Sequence, residues 1–275
     1  MTPAQLSRTI RHTLSRVLSD DADDRGGEAL TGVRVVVESP PRRGGGDYAT
    51  GVAFQAAAAC GRPAREVAEK LCDRLVRDED AVARAVVVGG GFVNVTLGPA
   101  GRVALVRTLA GSGPAEASGA ALPAEGPTDI PGQDIPRWAA LTGEDPAVLA
   151  VRTERSSSLF RVQYAHARIC SLLRNGRRLG LRPEPESVEP LGAAGARLLA
   201  LLADRERITA PGALARHLDA VAGAFAVFHD TCPPLPRGEE KPGAAHRGRL
   251  ALAEATGAVL AGGLSQLGIT APVHL

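Results

Sequence analysis

The sequence predicts an α+β N-terminal domain followed by an all-α C-terminal helical bundle. Three observations support this fold class. Before residue 110, apolar residues recur both at every second position, as in strands, and at every third or fourth, as in helices. Residues 111–136 are rich in glycine and proline, and the last part of the chain has helical spacing throughout. Since 275 residues suit one large or two modest domains, we divide the chain into domains 1–110 and 137–275 joined by a linker, 111–136.

Both periodicities occur in the N-terminal block. The four-residue spacing of Leu6, Ile10 and Leu14 is typical of an amphipathic helix, whereas alternation around Val33 to Val37 is typical of a strand. In chain order we predict a helix over 3–19, a strand over 33–37, a turn at Gly44–Gly46, a helix over 48–59 with Asp47 as N-cap and Gly61 after its end, a helix over 63–77 with Val67, Leu71 and Leu75 buried, strands near 84–88 and 92–97, and a helix near 99–110.

The linker is predicted from composition. Residues 111–136 contain 5 glycines, 5 prolines and no aromatic residue. Such a stretch buries too little apolar surface to fold, so we expect a flexible connector spanning about 25–30 Å.

In the C-terminal block we expect only helices and loops. The longest predicted helix covers about 146–175, with a buried stripe of Leu159, Val162, Ala165, Ile169 and Leu172. Further helices are expected near 191–204, 211–230 and 245–267, and a loop over Cys232–Gly243.

Composition narrows the class of protein. No apolar run approaches the roughly 18–20 residues that span a bilayer, and the first twenty residues lack the apolar segment of a secretory signal. The four cysteines, Cys60, Cys72, Cys170 and Cys232, are widely spaced without a Cys-x-x-Cys pair. We therefore expect a cytoplasmic protein with no membrane partner, no disulfide framework and no zinc ribbon.

Charge is unevenly distributed along the chain. Residues 1–150 carry a net charge of −3 and residues 151–275 a net charge of +5, and 30 of the 32 basic residues are Arg. Arginine suits phosphate and base recognition because its guanidinium is a planar fork of donors. A genome rich in G and C, which favours Arg codons everywhere, explains the same bias without any ligand.

One face of the long C-terminal helix combines cations with an aromatic ring. Arg161, Tyr164 and Arg168 lie at i, i+3 and i+7 and share a face. A ring between two guanidiniums can stack on an unpaired base while the cations meet phosphates. A solvated arginine face with a half-buried tyrosine gives the same pattern.

A second candidate surface lies on the strand after the triple glycine. In GGGFVNVTLG, Phe92 and Asn94 alternate with Val93 and Val95, so a buried valine face would turn Phe92 and Asn94 outward together. An exposed ring beside an amide can stack on one base and hydrogen-bond its edge. The alternative is that Phe92 packs under a helix.

Two histidine–cysteine pairs have weaker interpretations. His166 and Cys170 are spaced as i and i+4, which fits a base and a nucleophile but equally a packed apolar face. His229 and Cys232 have ligand-like spacing without a second pair, so we predict no metal site and no cofactor.

Two long segments resemble arginyl-tRNA synthetases. GDYATGVAFQAAAACGRPAREVAEKL (Gly46 to Leu71) and GGGFVNVTLG (Gly89 to Gly98) resemble the family's N-terminal tRNA-contacting domain. VQYAHARICSLLR (Val162 to Arg174) and GLSQLGITAP (Gly263 to Pro272) resemble its C-terminal DALR-type anticodon-binding domain. The resemblance implies that Phe92 and Asn94 contact the D-loop at the tRNA elbow. It also implies that Tyr164 and Arg168 face the anticodon arm, with Arg161 standing where the family usually has an aromatic ring.

The family's catalytic domain has no counterpart in the sequence. In a synthetase that domain lies between the two resembling parts, and its His-Ile-Gly-His and Lys-Met-Ser-Lys-Ser motifs are missing here. We therefore expect a non-catalytic tRNA-binding protein that holds tRNA at the elbow and the anticodon arm. Its role would be to present aminoacyl-tRNA to a partner enzyme, to regulate tRNA use or to assist a full-length synthetase. The alternative is a protein-interaction module that kept the scaffold and lost tRNA binding.

Overall fold

The computed structural model describes two compact units. Its described residues are 1–20, 32–40, 45–111, 128–188 and 191–275. The first unit is Met1–Leu105 and the second is Val106–Leu275. In agreement with the predicted fold class, the first combines a small sheet with helices and the second consists of helices and loops.

The N-terminal unit is built on a three-stranded antiparallel sheet of order β1-β3-β2. The central strand β3 turns its valines toward the helices, and Val93 and Val95 are fully buried. Leu6, Ile10 and Leu14 on α1 are fully buried as well, and α1 packs on α3. The elements are α1 (Pro3–Asp20), β1 (Tyr48–Thr50), α2 (Val52–Cys60), α3 (Ala64–Asp78), β2 (Val82–Val88), β3 (Phe92–Leu97) and α4 (Pro99–Gly111), of which α4 continues into the second unit.

Two predictions in the N-terminal unit are wrong. Residues 48–50 form β1 rather than the first turn of a helix, and Asp47 is not an N-cap, because its Oδ2 accepts a 2.7 Å hydrogen bond from the Leu97 backbone nitrogen across the sheet. Residues 33–37 form no strand. Their alternation is real, since Val35 and Val37 are buried, but backbone pairing is limited to a bridge between Glu38 and Ala49. Gly44 lies outside the described residues.

The C-terminal unit is arranged around α7, which packs against α9 and α10. The predicted apolar stripe of α7, from Leu159 to Leu172, is buried. Within the described ranges, no helix is both long and apolar enough to cross a membrane. The helices are α5 (Pro131–Thr142), α6 (Pro146–Leu149), α7 (Ser158–Arg178), α8 (Gly192–Asp204), α9 (Pro211–Thr231) and α10 (Ala244–Gln266).

The predicted helix over 146–175 is interrupted. It divides into α6 and α7 because Ser157 adopts an extended backbone and its Oγ accepts a 3.1 Å hydrogen bond from the Phe160 nitrogen. A serine that caps a helix in this way starts a new helix instead of continuing the previous one.

Helix α5 begins inside the stretch predicted to be linker. Pro131 occupies its first turn, where a missing N–H costs nothing. Asp134 is buried and accepts hydrogen bonds from Gln163 Nε2 (3.0 Å) and the Thr270 nitrogen (3.1 Å), and Trp138 is fully buried. These contacts, which composition does not reveal, hold α5 in the C-terminal unit. Residues 112–127 of the predicted linker lie outside the described part.

Candidate nucleic-acid surfaces

A column of four planar groups is formed by three side chains of α7 and one from the segment before it. The rings of Phe160 and Tyr164 stack with centroids 5.7 Å apart and planes 15° apart. The Arg168 guanidinium carbon lies 5.8 Å from the Tyr164 ring centroid, and the Arg152 guanidinium carbon lies 5.4 Å from that of Phe160. Helical spacing of four residues aligns Phe160, Tyr164 and Arg168. We call these four side chains the stacking column.

Guanidinium groups lie at both ends of the stacking column, and only that of Arg168 lacks a carboxylate partner among the described residues. Arg168 Nη1 donates a 3.2 Å hydrogen bond to the Tyr164 hydroxyl, and Nη2 lies 3.4 Å from His229 Nδ1. Among the described residues, no carboxylate pairs directly with Arg168. Its charge is therefore available to an anion, whereas Arg152 pairs with Asp129.

Arg161, predicted to share this face, is tied down in an ion pair instead. Its Nε lies 2.6 Å from Asp219 Oδ1 and its Nη2 3.0 Å from Asp219 Oδ2, a two-point contact between α7 and α9. The hydrogen bonds to Asp219 raise the pKa of the Arg161 guanidinium. Because Asp219 neutralises it, Arg161 adds little positive potential to the surface.

Sequence reasoning missed two members of the column, Phe160 and Arg152. Phe160 lies four residues before Tyr164 and shares its face, whereas Arg152 precedes α7 and no helical spacing points to it. The predicted face instead included Arg161, which lies three residues before Tyr164. Helix geometry admits both positions, and the choice between them depended on Asp219, 58 residues away.

In the N-terminal unit, Phe92 projects from the start of β3. It is 52% exposed and meets the 40%-exposed Phe54 of α2 edge to face, with centroids 5.0 Å apart. Only 3% of the residues are aromatic, and two of these rings are exposed and in contact with each other. Exposed apolar patches of this kind often mark binding sites. The prediction that Phe92 points outward is confirmed.

Asn94 does not point into solvent as predicted. It shares the face of Phe92 but is only 4% exposed, because it sits in the central strand between Ala49 and Val86. Its Nδ2 donates a 2.8 Å hydrogen bond to the Gly45 carbonyl. This bond fixes the orientation of the amide and leaves Oδ1 as the acceptor.

An open cavity brings Phe92 and Asn94 together. Its volume is about 710 Å³, and its surface is mainly apolar, although Arg34, Glu38 and Gln55 are among the polar residues that line it. The Gln55 Oε1 accepts a 3.1 Å hydrogen bond from the backbone nitrogen of Arg34. A concave apolar site with a few fixed polar groups is the usual form of a site that binds a planar ligand such as a nucleobase.

Family comparisons match both units. Residues 4–97 match the family described as Arginyl tRNA synthetase N terminal domain, and residues 162–275 match the DALR anticodon binding domain. The chain joins an arginyl-tRNA synthetase N-terminal domain to a DALR anticodon-binding domain. Phe92 and Asn94 lie in the first match, and Tyr164 and Arg168 lie in the second.

The catalytic domain is absent between the two matched domains. Only residues 98–161 separate the matches, and α4, α5 and α6 lie in this segment. The resemblance predicted from the sequence is thus confirmed for both domains.

The histidine–cysteine pair of the DALR domain is a packing contact. Cys170 Sγ lies 3.8 Å from His166 Nε2, and burial raises the pKa of the Cys170 thiol to about 11. Burial also lowers the pKa of His166, whose Nδ1 lies 2.9 Å from the Pro272 carbonyl. A thiol with so high a pKa is a poor nucleophile. In the described ranges, no group of three or more His, Cys, Asp or Glu residues could hold a metal ion.

Proposed function

We propose that the protein binds tRNA through both domains without aminoacylating it. In this proposal the cavity beside Phe92 and Asn94 receives the tRNA elbow, and the stacking column receives the anticodon loop. The single observation that carries the proposal is the column itself, an aromatic pair flanked by two guanidiniums, of which Tyr164 and Arg168 lie in the match to the anticodon-binding domain.

The chemistry of the column suits unpaired nucleotides. Stacking of one base on an aromatic side chain contributes about 1–3 kcal/mol and tolerates any base, since every base has a π face. A base reaching Tyr164 displaces the Arg168 guanidinium from the ring and leaves it beside the incoming phosphate. The ion pair of Arg161 with Asp219 removes one cation from this face, so we expect binding to depend more on stacking than on charge.

A tRNA-binding role without catalysis assigns the protein to the handling of tRNA in the cytoplasm. It would present aminoacyl-tRNA to a partner enzyme or assist a full-length synthetase. The lack of a catalytic domain between the matched domains supports this role. We expect no arginine-dependent pyrophosphate exchange, with or without tRNA, from the purified chain.

A protein-interaction module is the second candidate. Two observations favour it: Asp219 neutralises Arg161, and exposed apolar side chains, Phe54, Phe92, Val36 and Val88, occur in the N-terminal domain. Such side chains suit a protein partner as well as a nucleobase.

Filter binding of unfractionated tRNA to the full chain separates the two candidates. The tRNA-binding proposal expects retention that Tyr164→Ala weakens and that the exposed-surface control Arg197→Ala leaves unchanged. Sequencing the RNA that co-purifies with the chain would then name the tRNA. If the wild type retains no tRNA, or if Tyr164→Ala retains as much tRNA as the wild type, the result favours the protein-interaction module.

A further inference from the structure

The face of α7 that carries the stacking column continues to the end of the helix. Steps of four and three residues lead from Arg168 to Ser171, Asn175 and Arg178, so these side chains lie on the same face. None of these three is buried, and Asn175 and Arg178 are exposed. Exposed Arg182 follows shortly after the helix ends.

Two exposed arginines, Arg178 and Arg182, continue this face. Neither Arg178 nor Arg182 makes a salt bridge or a hydrogen bond through its side chain with any residue of the described ranges. Arg247, by contrast, is neutralised, since its Nε lies 2.7 Å from Glu184 Oε2. Arg178 and Arg182 therefore add two unpaired cations to the end of α7 that continues the column face.

The spacing fits the arm of a folded RNA. At 1.5 Å per residue, Arg178 lies about 21 Å along the helix axis from Tyr164. A loop whose bases occupy the column is closed by a base-paired stem, and the stem carries its phosphates away from the loop over such a distance. A duplex presents charge rather than bases to a helix surface, which is what a polar and cationic strip can bind.

We infer that Ser171, Asn175, Arg178 and Arg182 form a phosphate-binding strip for the anticodon stem of the tRNA whose loop occupies the stacking column. The inference rests on the proposed function and adds a second contact of different chemistry. The column binds bases by stacking, whereas the strip binds the backbone by charge and does not depend on base sequence.

The test uses the full chain and two RNA probes. One probe is the anticodon stem-loop of a tRNA recovered from the bound fraction of an unfractionated pool, and the other is its loop sequence as a single strand. The double variant Arg178→Ala/Arg182→Ala is compared with Arg197→Ala/Arg216→Ala, which removes two exposed charges from α8 and α9 of the same domain.

The strip variant is expected to weaken stem-loop binding by about 30-fold at 0.1 M salt. The plot of log association constant against log salt concentration should also become less steep, its negative slope shrinking in magnitude by about two. Binding of the strip variant to the single strand should be unchanged, and the control variant should match the wild type on both probes. Tyr164→Ala should weaken both probes.

Three results would overturn the inference. The strip and control variants could weaken stem-loop binding equally, which would mean that only net charge matters. The strip variant could bind both probes as tightly as the wild type, which would mean that the strip does not contact RNA. It could also bind both probes more weakly than the wild type, which would mean that the contact is not specific to the stem. A wild-type chain that binds neither probe contradicts the proposed function itself, which is a separate outcome.

Discussion

Arg168 is a residue whose substitution tests the proposed RNA contact of the stacking column. Its guanidinium lies over one face of the Tyr164 ring, and its hydrogen-bond partners among the described residues are the Tyr164 hydroxyl and His229. We expect Arg168→Ala to weaken tRNA binding by about 1–3 kcal/mol, because it removes a cation beside the stacked base. Folding should change by less than about 0.5 kcal/mol, since the residue is not part of the core. Dissociation constants and thermal melting measure the two quantities.

The control for Arg168 is Arg216→Ala on α9, an exposed arginine that is not a member of the column. Equal dissociation constants for Arg168→Ala and the control would show that the column does not contact RNA. A fall in melting temperature for Arg168→Ala alone would assign the side chain a structural role instead.

His217 gives the DALR domain a dependence on pH. It is 8% exposed, and burial together with the nearby Arg205 lowers the pKa of its imidazole from 6.5 to about 4. Between pH 6.5 and about pH 4, His217 is protonated in the unfolded chain but neutral in the folded chain. The contribution of His217 to stability therefore falls as the pH drops through this range and stops falling below about pH 4. The free energy of unfolding should drop by about 1–2 kcal/mol more between pH 7 and pH 5 for the wild type than for His217→Gln. Urea titrations at the two pH values test this, and equal drops would contradict it.

At the scale of elements, α10 packs closely against the backbone of residues 185–188 at Gly248, which has no side chain. A Cβ on Gly248 would lie 1.7 Å from the Ser187 carbonyl oxygen, whereas a Cβ on Gly262 of the same helix would meet nothing within 4 Å. Gly248→Ala should therefore destabilise the protein by about 1–3 kcal/mol, because backbone must move. Gly262→Ala should be neutral or stabilise it by up to about 1 kcal/mol, because alanine favours the helix. Chemical denaturation of both variants measures this, and a neutral Gly248→Ala would be the contrary result.

Elements with an apolar stripe could be predicted from the sequence, and those defined by distant contacts could not. Helices α1 and α3 follow from the four-residue spacing of their leucines. The break before α7 depended on the Ser157 cap, and the start of α5 depended on hydrogen bonds that Asp134 accepts from residues 29 and 136 positions away. The candidate site divides in the same way. Phe92 and Tyr164 follow from local pattern, whereas the burial of Asn94 depends on pairing with β1.

At the scale of the whole molecule, two domains with separate surfaces are joined in one chain. Because both matched domains contact tRNA in the family they resemble, we expect them to act on a single tRNA. A tethered second contact adds affinity through effective concentration, so losing either surface should cost more than its own contacts. The DALR match lies within the cationic part of the chain, since residues 151–275 carry a net charge of +5.

The central claim is that this chain recognises folded tRNA with both domains. The most direct measurement is the dissociation constant for tRNA across a salt titration, for the wild type, Phe92→Ala and Tyr164→Ala, with an RNA duplex of equal length as competitor. We expect the wild type to prefer tRNA over the duplex and each variant to weaken tRNA binding by about 1–3 kcal/mol. Equal binding of tRNA and duplex at every salt concentration, with both variants folded and unchanged in affinity, would contradict the claim.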